Sequence, residues 1–175
     1  MTIHMTDPFA TPEPQRSPVR RLRGRLPSAV TLWTATGRRG PVGLTVSSTV
    51  VVEGDPGRLL GVLDPESDLA EALTGTSRRT RFVVQPLTEG ERRLADKFAG
   101  LMPAPGGLFA GLDWRDSGYG PVLAGPRTWA GAVVVDARPL GWGVLVEAEI
   151  AEVEVADDAS AGPLVHFRGR YRTIS

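Results

Sequence analysis

Three hydroxyl side chains, Thr45, Ser47 and Ser48, stand in the run Pro41-Val42-Gly43-Leu44-Thr45-Val46-Ser47-Ser48, among aliphatic residues and close to a glycine. Covered hydroxyls and backbone amides need hydrogen-bond partners. The chemistry on offer is therefore recognition of a polar ligand; the alternative is that the serines face water or cap a turn. A second polar point is Ser67, placed to cap a short helix with Asp68 in its first turn. The amides of such a helix start can hold an anion, although Asp64, Glu66 and Asp68 sit beside it and a plain capped helix explains the same residues. Arg20, Arg21, Arg23 and Arg25 could grip a phosphate or simply form a surface turn. The chain has no cysteine, and His4 and His166 are its imidazoles, so thiolate nucleophiles, disulfides and cysteine zinc sites are excluded.

Composition narrows the classes further. The 175 residues, 41% of them hydrophobic, suffice for one domain with a sizeable core. Twenty basic and twenty acidic residues cancel, so no net field draws nucleic acid or an anionic membrane. Neither a signal peptide nor a run approaching about 20 apolar residues is evident. A cytoplasmic protein with no nucleic-acid or membrane partner is the expectation.

The elements that must hold these groups are mostly strands. Residues 1–20, with Pro8, Pro12, Pro14 and Pro18, read as a flexible tail, and 21–175 as one domain. Ala29–Ala35 is β-branched and aromatic, and Gly37-Arg38-Arg39-Gly40 is a turn leading into a second strand that continues through Val50-Val51-Val52. Leu59–Leu63 gives a third strand, residues 64–73 the capped helix, and Phe82-Val83-Val84 a buried strand. Thr88 and Glu91 have capping-box spacing, with Leu94, Phe98 and Leu101 at helical intervals. Residues 102–128 form a long glycine- and proline-rich connection pinned by Trp114 and Tyr119. Val133 and Val135, then Val144, Val146, Ala148 and Ile150, alternate with polar neighbours, and a parity slip between Ile150 and Val153 calls for a bulge. A last strand runs through Pro163–Arg172. Many short strands with two helices make a mostly-β fold, a β-barrel carrying helical insertions.

Gly43-Leu44-Thr45-Val46-Ser47-Ser48, followed by Asp55-Pro56 and by Leu63 and Ser67, resembles the signature of the flavin reductase-like family of FMN-binding split-barrel proteins. Phe82–Leu87, Leu94–Gly100, Trp114, Gly120-Pro121-Val122-Leu123 and Pro163–Tyr171 follow in the family's order, so the resemblance covers about residues 20–172. It implies a Greek-key split barrel that forms a homodimer, binds FMN, with FAD as the alternative flavin, and reduces it with NADH or NADPH. By the same resemblance the flavin contacts fall on Leu44, Thr45, Val46, Ser47, Ser48, Leu63, Ser67, Gln85, Phe98, Ala99, Gly100 and Tyr171. Phe98 reads equally as a core side chain of its helix. The reduced flavin would serve a separate monooxygenase.

Two departures from the family pattern stand out. Pro65 and Gln85 occupy places where many members carry arginine and asparagine, leaving phosphate neutralisation to Arg78, Arg79, Arg81 or the N-terminal arginines. Gly141-Trp142-Gly143 stands where many reductases have glycine, aspartate and histidine, which makes Trp142 the residue to place near the nicotinamide, or else a hairpin side chain packed on the barrel end. An FMN-binding protein without fast turnover, and a protein-interaction barrel without flavin, are the other readings.

Overall fold

Strand β2 (Thr31–Gly37) is the centre of the architecture, because its residues 31–35 are buried on both faces. A strand covered on both sides reads as a continuous apolar and β-branched run rather than an alternation, as Thr31-Leu32-Trp33-Thr34-Ala35 does. The computed structural model describes residues 17–75, 79–157 and 161–174. In chain order it contains α1 (Pro18–Gly24), β1 (Ser28–Ala29), β2, β3 (Gly40–Val46), β4 (Val50–Val52), β5 (Arg58–Leu63), α2 (Asp68–Thr74), β6 (Arg81–Pro86) and α3 (Arg92–Phe98). There follow β7 (Trp114–Asp116), β8 (Pro121–Leu123), β9 (Trp129–Leu140), β10 (Gly143–Glu154), β11 (Leu164–Phe167) and β12 (Arg170–Thr173).

Seven strands make one antiparallel sheet in the order β3-β2-β6-β9-β10-β5-β4. The mostly-β expectation holds, but backbone ladders do not close a barrel: β3 and β4 remain the two edges. The reason lies in the segment expected to continue as one strand to Val52. The chain leaves the ladder at Ser47–Thr49, crosses over, and re-enters as β4 against β5 on the far edge. Ser48 spans the remaining gap with its side chain, accepting from the Val62 amide at 2.8 Å and donating to the Val62 carbonyl at 3.0 Å. One hydroxyl thus does the work of a ladder residue.

One core fills the face of β2 that carries Trp33 and Ala35, with Phe82, Leu59, Leu63 and the α2 residues Leu69 and Leu73. Trp33 stacks on Phe82 at 4.9 Å, and a Cβ on Gly61 would lie 2.5 Å from its ring, so only glycine fits there. The opposite face carries Val30 and Leu32 against α3 and Leu164. Phe98 belongs to this second core at 2% exposure, edge-on to Phe109 and Trp114. A Cβ on Gly43 would meet its ring at 2.7 Å, which is why α3 can press on β3.

The β9–β10 alternation appears as read. Its register slips between Glu147 and Ala148 and between Ile150 and Glu152, the second slip lying where the parity change calls for a bulge. Three expectations need correction. Pro18–Arg20, expected in the tail, open a helix, because Ser17 caps it by accepting from the Arg20 amide and Pro18 supplies a pre-set first turn; residues 1–16 lie outside the described residues. The long connection after α3 contains the β7–β8 hairpin, held by Trp114 Nε1 donating to the Phe109 carbonyl and by Gln85. The final strand is a hairpin, β11–β12, turning at Arg168 and Gly169, both at positive φ.

Candidate functional site

The β11–β12 hairpin is locked to the sheet by a three-way exchange of backbone bonds. The Val30 amide donates to the Leu164 carbonyl, Leu164 to Leu87, and Leu87 back to Val30, each at 2.9 Å. The hairpin turn in turn fixes α1, since the Arg168 amide donates to the Gly24 carbonyl at 2.7 Å. These ties create a cleft of about 170 Å³ between α1, the end of β3, the loop after α3 and the small sheet β1-β11-β12.

Its floor is a cross-strand row: Ser28 lies opposite His166, and His166 opposite Tyr171. The His166 and Tyr171 rings meet edge-on at 6.1 Å. Thr45 and Ser47 form one wall with Ala99 beside them. Arg20 and Arg23, three residues apart and so on one face of α1, form the other. Thr45 is held in place by donating from Oγ1 to the Ala95 carbonyl of α3 at 2.7 Å. Burial, and then the Arg23 charge, push the His166 imidazole below its ordinary pKa, so it is neutral at neutral pH. Burial, the Asp96 charge and a hydrogen bond to Asp96 push the Tyr171 phenol up to about 12, and it stays a proton donor.

Four of the expected flavin contacts therefore meet, Thr45, Ser47, Ala99 and Tyr171, together with Arg20 and Arg23 of the N-terminal arginine cluster. Three others gather at a neighbouring end of the sheet, where Ser48 grips Val62, Leu63 is buried in the main core and Ser67 caps α2 by accepting from the Ala70 amide at 3.1 Å. Ser67 also donates to the Asp64 carbonyl at 2.7 Å, so its hydroxyl is engaged within its own turn. The side chains of Val46 and Phe98 are in the cores and that of Leu44 packs against one. Gln85 is fully buried, accepting from the Leu123 amide at 3.0 Å, and so fastens the β8 hairpin. Gly100 turns the chain after α3 at φ 74°.

Trp142 sits at the tip of the β9–β10 hairpin with 99% of its surface exposed, which overturns the reading of a side chain packed on the barrel end. A Cβ on the adjacent Gly143 would lie 2.5 Å from Val62 Cγ1, so this tip borders the segment that Ser48 holds. Among the other cations proposed for a phosphate, Arg81 lies over the Tyr119 ring at 5.5 Å, and Arg78 falls outside the described residues.

Sequence reading missed Ser28 and His166 as site residues and placed α1 in a tail or turn. Two signals were present. Arg168-Gly169 as a two-residue turn sets His166 opposite Tyr171, and Ser17-Pro18 is a helix start that puts Arg20 and Arg23 on one face. A larger cavity of about 420 Å³ lies between Pro86, Glu91, Arg127 and Pro163, where Arg127 pairs with Glu91 at 3.0 Å while its buried Nε has no hydrogen-bond partner among the described residues.

A family model for the flavin reductase like domain matches residues 23–175. An NADH-dependent FMN reductase of Streptomyces nodosus subsp. asukaensis is 32% identical over 164 residues, covering 93% of this chain and 86% of the relative. An NADH:FMN oxidoreductase of Rhodococcus qingshengii is 30% identical over 152 residues, covering 84% and 76%. In structure, the chain resembles a nitrilotriacetate monooxygenase component B homologue from Mycobacterium thermoresistibile, with TM-score 0.78, 26% identity and coverage of 90% of this chain and 85% of that one.

Proposed function

The chain belongs to the flavin reductase like family, and from that premise we propose that it is a flavin reductase using FMN, with FAD as the alternative flavin, and NADH or NADPH as reductant. The observation that carries this reading is the convergence of Thr45, Ser47, Ala99 and Tyr171, far apart in sequence, on one cleft. A bound flavin supplies hydride-accepting chemistry, and a protein partner to it needs to contribute position and electrostatics rather than an acid–base triad.

The residues present fit such a group. β3 is an edge strand, so its outer backbone amides and carbonyls face away from β2 and are open to a polar ring edge. Ser47 adds a hydroxyl, Ala99 leaves room for a flat ring, and Tyr171, its phenol hydrogen-bonded to Asp96, adds an uncharged aromatic face. Phe98 contributes by bracing Gly43 from behind rather than by touching the ligand. Ser48, Leu63 and Ser67 shape the adjoining sheet end; with Ser67 engaged in its own cap and three acids beside it, the basic groups lie instead at the α1 end of the cleft.

We read the curled sheet as a Greek-key split barrel, with the Ser48 bridge as the point where its edges meet, and residues from about 21 onward as one domain. The name of the Mycobacterium neighbour supports a monooxygenase as receiver of the reduced flavin. A cytoplasmic location fits that role, and no helix among the described residues is long and apolar enough to cross a membrane.

A homodimer is part of the same reading. Val50, Val51 and Val52 lie exposed on the edge strand β4, and Trp142 is exposed at the tip of the β9–β10 hairpin. Such apolar edges are ordinarily covered. Light scattering at micromolar concentration is expected to give twice 18.7 kDa, and a monomer mass would refute the assembly.

The test of the activity is direct. FMN titrated into the protein should perturb the flavin spectrum, and NADH or NADPH should be consumed only when flavin is present. Binding without consumption would leave an FMN-binding protein.

A further inference from the structure

Two guanidinium groups, those of Arg20 and Arg23 on α1, line the cleft, and among the described residues no acid pairs with them. Helix α1 is short and carries no buried residue, so its own packing does not explain the placement. It is fixed instead by the Ser17 cap at one end and by the Arg168 amide on the Gly24 carbonyl at the other. Arg20 and Arg23 thereby share the lining of one cleft with Ser28, His166, Thr45 and Ser47. No acid is among the described residues that line the cleft, and the Asp96 carboxylate is engaged by the Tyr171 phenol.

We propose that the α1 end of this cleft is a phosphate subsite, in which Arg20 and Arg23 hold a phosphoryl group of the nucleotide whose ring lies along Thr45 to Ser47. The volume agrees: about 170 Å³ is below the ~300–1,000 Å³ that houses a whole ligand, so the cleft takes only part of a nucleotide, an edge of the ring at Thr45 and Ser47 and a charged group at Arg20 and Arg23. Guanidinium groups suit phosphate because they donate paired hydrogen bonds and stay charged. Ser28, whose hydroxyl donates to the Leu26 carbonyl at 3.3 Å, and the neutral His166 ring line the same space without adding charge. This deepens the reductase reading and rests on it for the identity of the ring. The phosphoryl group itself has two sources, the flavin's own phosphate or the phosphates of the pyridine dinucleotide.

The experiment compares the parent with Arg20→Ala, Arg23→Ala and the double variant. Arg21→Ala, on the same helix but outside the cleft lining, is the control. Dissociation constants are measured for FMN, riboflavin, ADP and 2′,5′-ADP, alongside KM and kcat for NADH and NADPH. Each cleft arginine removed is expected to weaken a phosphate-bearing ligand about tenfold, with riboflavin affinity, thermal midpoint and the Arg21→Ala protein unchanged. If the FMN preference over riboflavin collapses, the phosphate is the flavin's. If ADP or 2′,5′-ADP binding and the dinucleotide KM are what suffer, with kcat intact, it is the dinucleotide's. Unchanged affinities for all four ligands in the double variant would overturn the proposal, as would equal losses in Arg21→Ala. A parent that consumes neither NADH nor NADPH refutes the reductase reading alone, because the ADP arms still report on the cleft.

Discussion

Trp33→Ala should lower the unfolding free energy by about 3–5 kcal/mol and the melting temperature by on the order of 10 °C. The ring is fully buried, stacked on Phe82, and fills the space that Gly61 leaves by lacking a side chain. It also carries polar duty. Trp33 Nε1 donates to Thr31 Oγ1 at 3.1 Å and to Thr49 Oγ1 at 3.0 Å, and Thr31 Oγ1 donates to the Val46 carbonyl at 2.8 Å. Removing the indole empties the main core and unties the β3–β4 crossing at once. Chemical denaturation with an unchanged m-value measures the first loss. A weaker FMN affinity in the folded variant measures the second, because Ser47 lies on that crossing.

The second large effect separates two neighbouring serines. Ser47 lines the cleft, whereas Ser48 is spent on Val62. Ser47→Asp should weaken FMN by at least about tenfold, since it sets a carboxylate beside an anionic ligand, and should leave stability nearly unchanged on a half-buried site. Ser48→Ala should do the reverse, costing about 1 kcal/mol of stability for the two lost hydrogen bonds with a smaller change in affinity. Fluorescence-quenching titration and denaturant unfolding on both variants give the four numbers. Equal FMN affinity in the parent and Ser47→Asp would move the flavin off this strand.

The residues show why part of this site was readable beforehand. Gly43 through Ser48 announced a polar, close-packed strand, and Thr45, Ser47, Ala99 and Tyr171 do reach one cleft. Period-two alternation gave β10 and its bulge, because a half-buried strand must alternate. The Thr88–Glu91 capping box was legible for the same local reason, with the Glu91 carboxylate accepting from the Thr88 amide at 2.8 Å. What failed was long-range. Nothing in Ser47-Ser48-Thr49 marks a crossing between sheet edges, since β-prone hydroxyl residues suit a strand equally well. Phe98 carries the helical spacing of a core residue and also fits the family's ring contact; Gly43, which yields it space from another strand, decides for the core. The resemblance puts Gln85 among the flavin contacts, whereas its buried amide accepts from the Leu123 amide and donates to the Pro121 carbonyl. Trp142 was ambiguous for the opposite reason: within one chain nothing touches it.

Departures at Pro65, Gln85 and Gly141-Trp142-Gly143 bear on the same question. The α2 start has no arginine to offer a phosphate, and the cations that face the cleft are on α1. A hairpin tip that carries indole presents a broad stacking face and a single donor. On the proposed reading, both shifts change where a nucleotide's phosphates would be held and leave the edge strand β3 for a flavin ring.

Steady-state oxidation of NADH and NADPH by the purified protein, followed as FMN is raised from zero, tests the central claim most directly. The account predicts consumption that is negligible without flavin, rises with FMN and saturates at the FMN affinity read independently by titration. Nucleotide consumption that stays at the protein-free rate at every FMN and FAD concentration would contradict it.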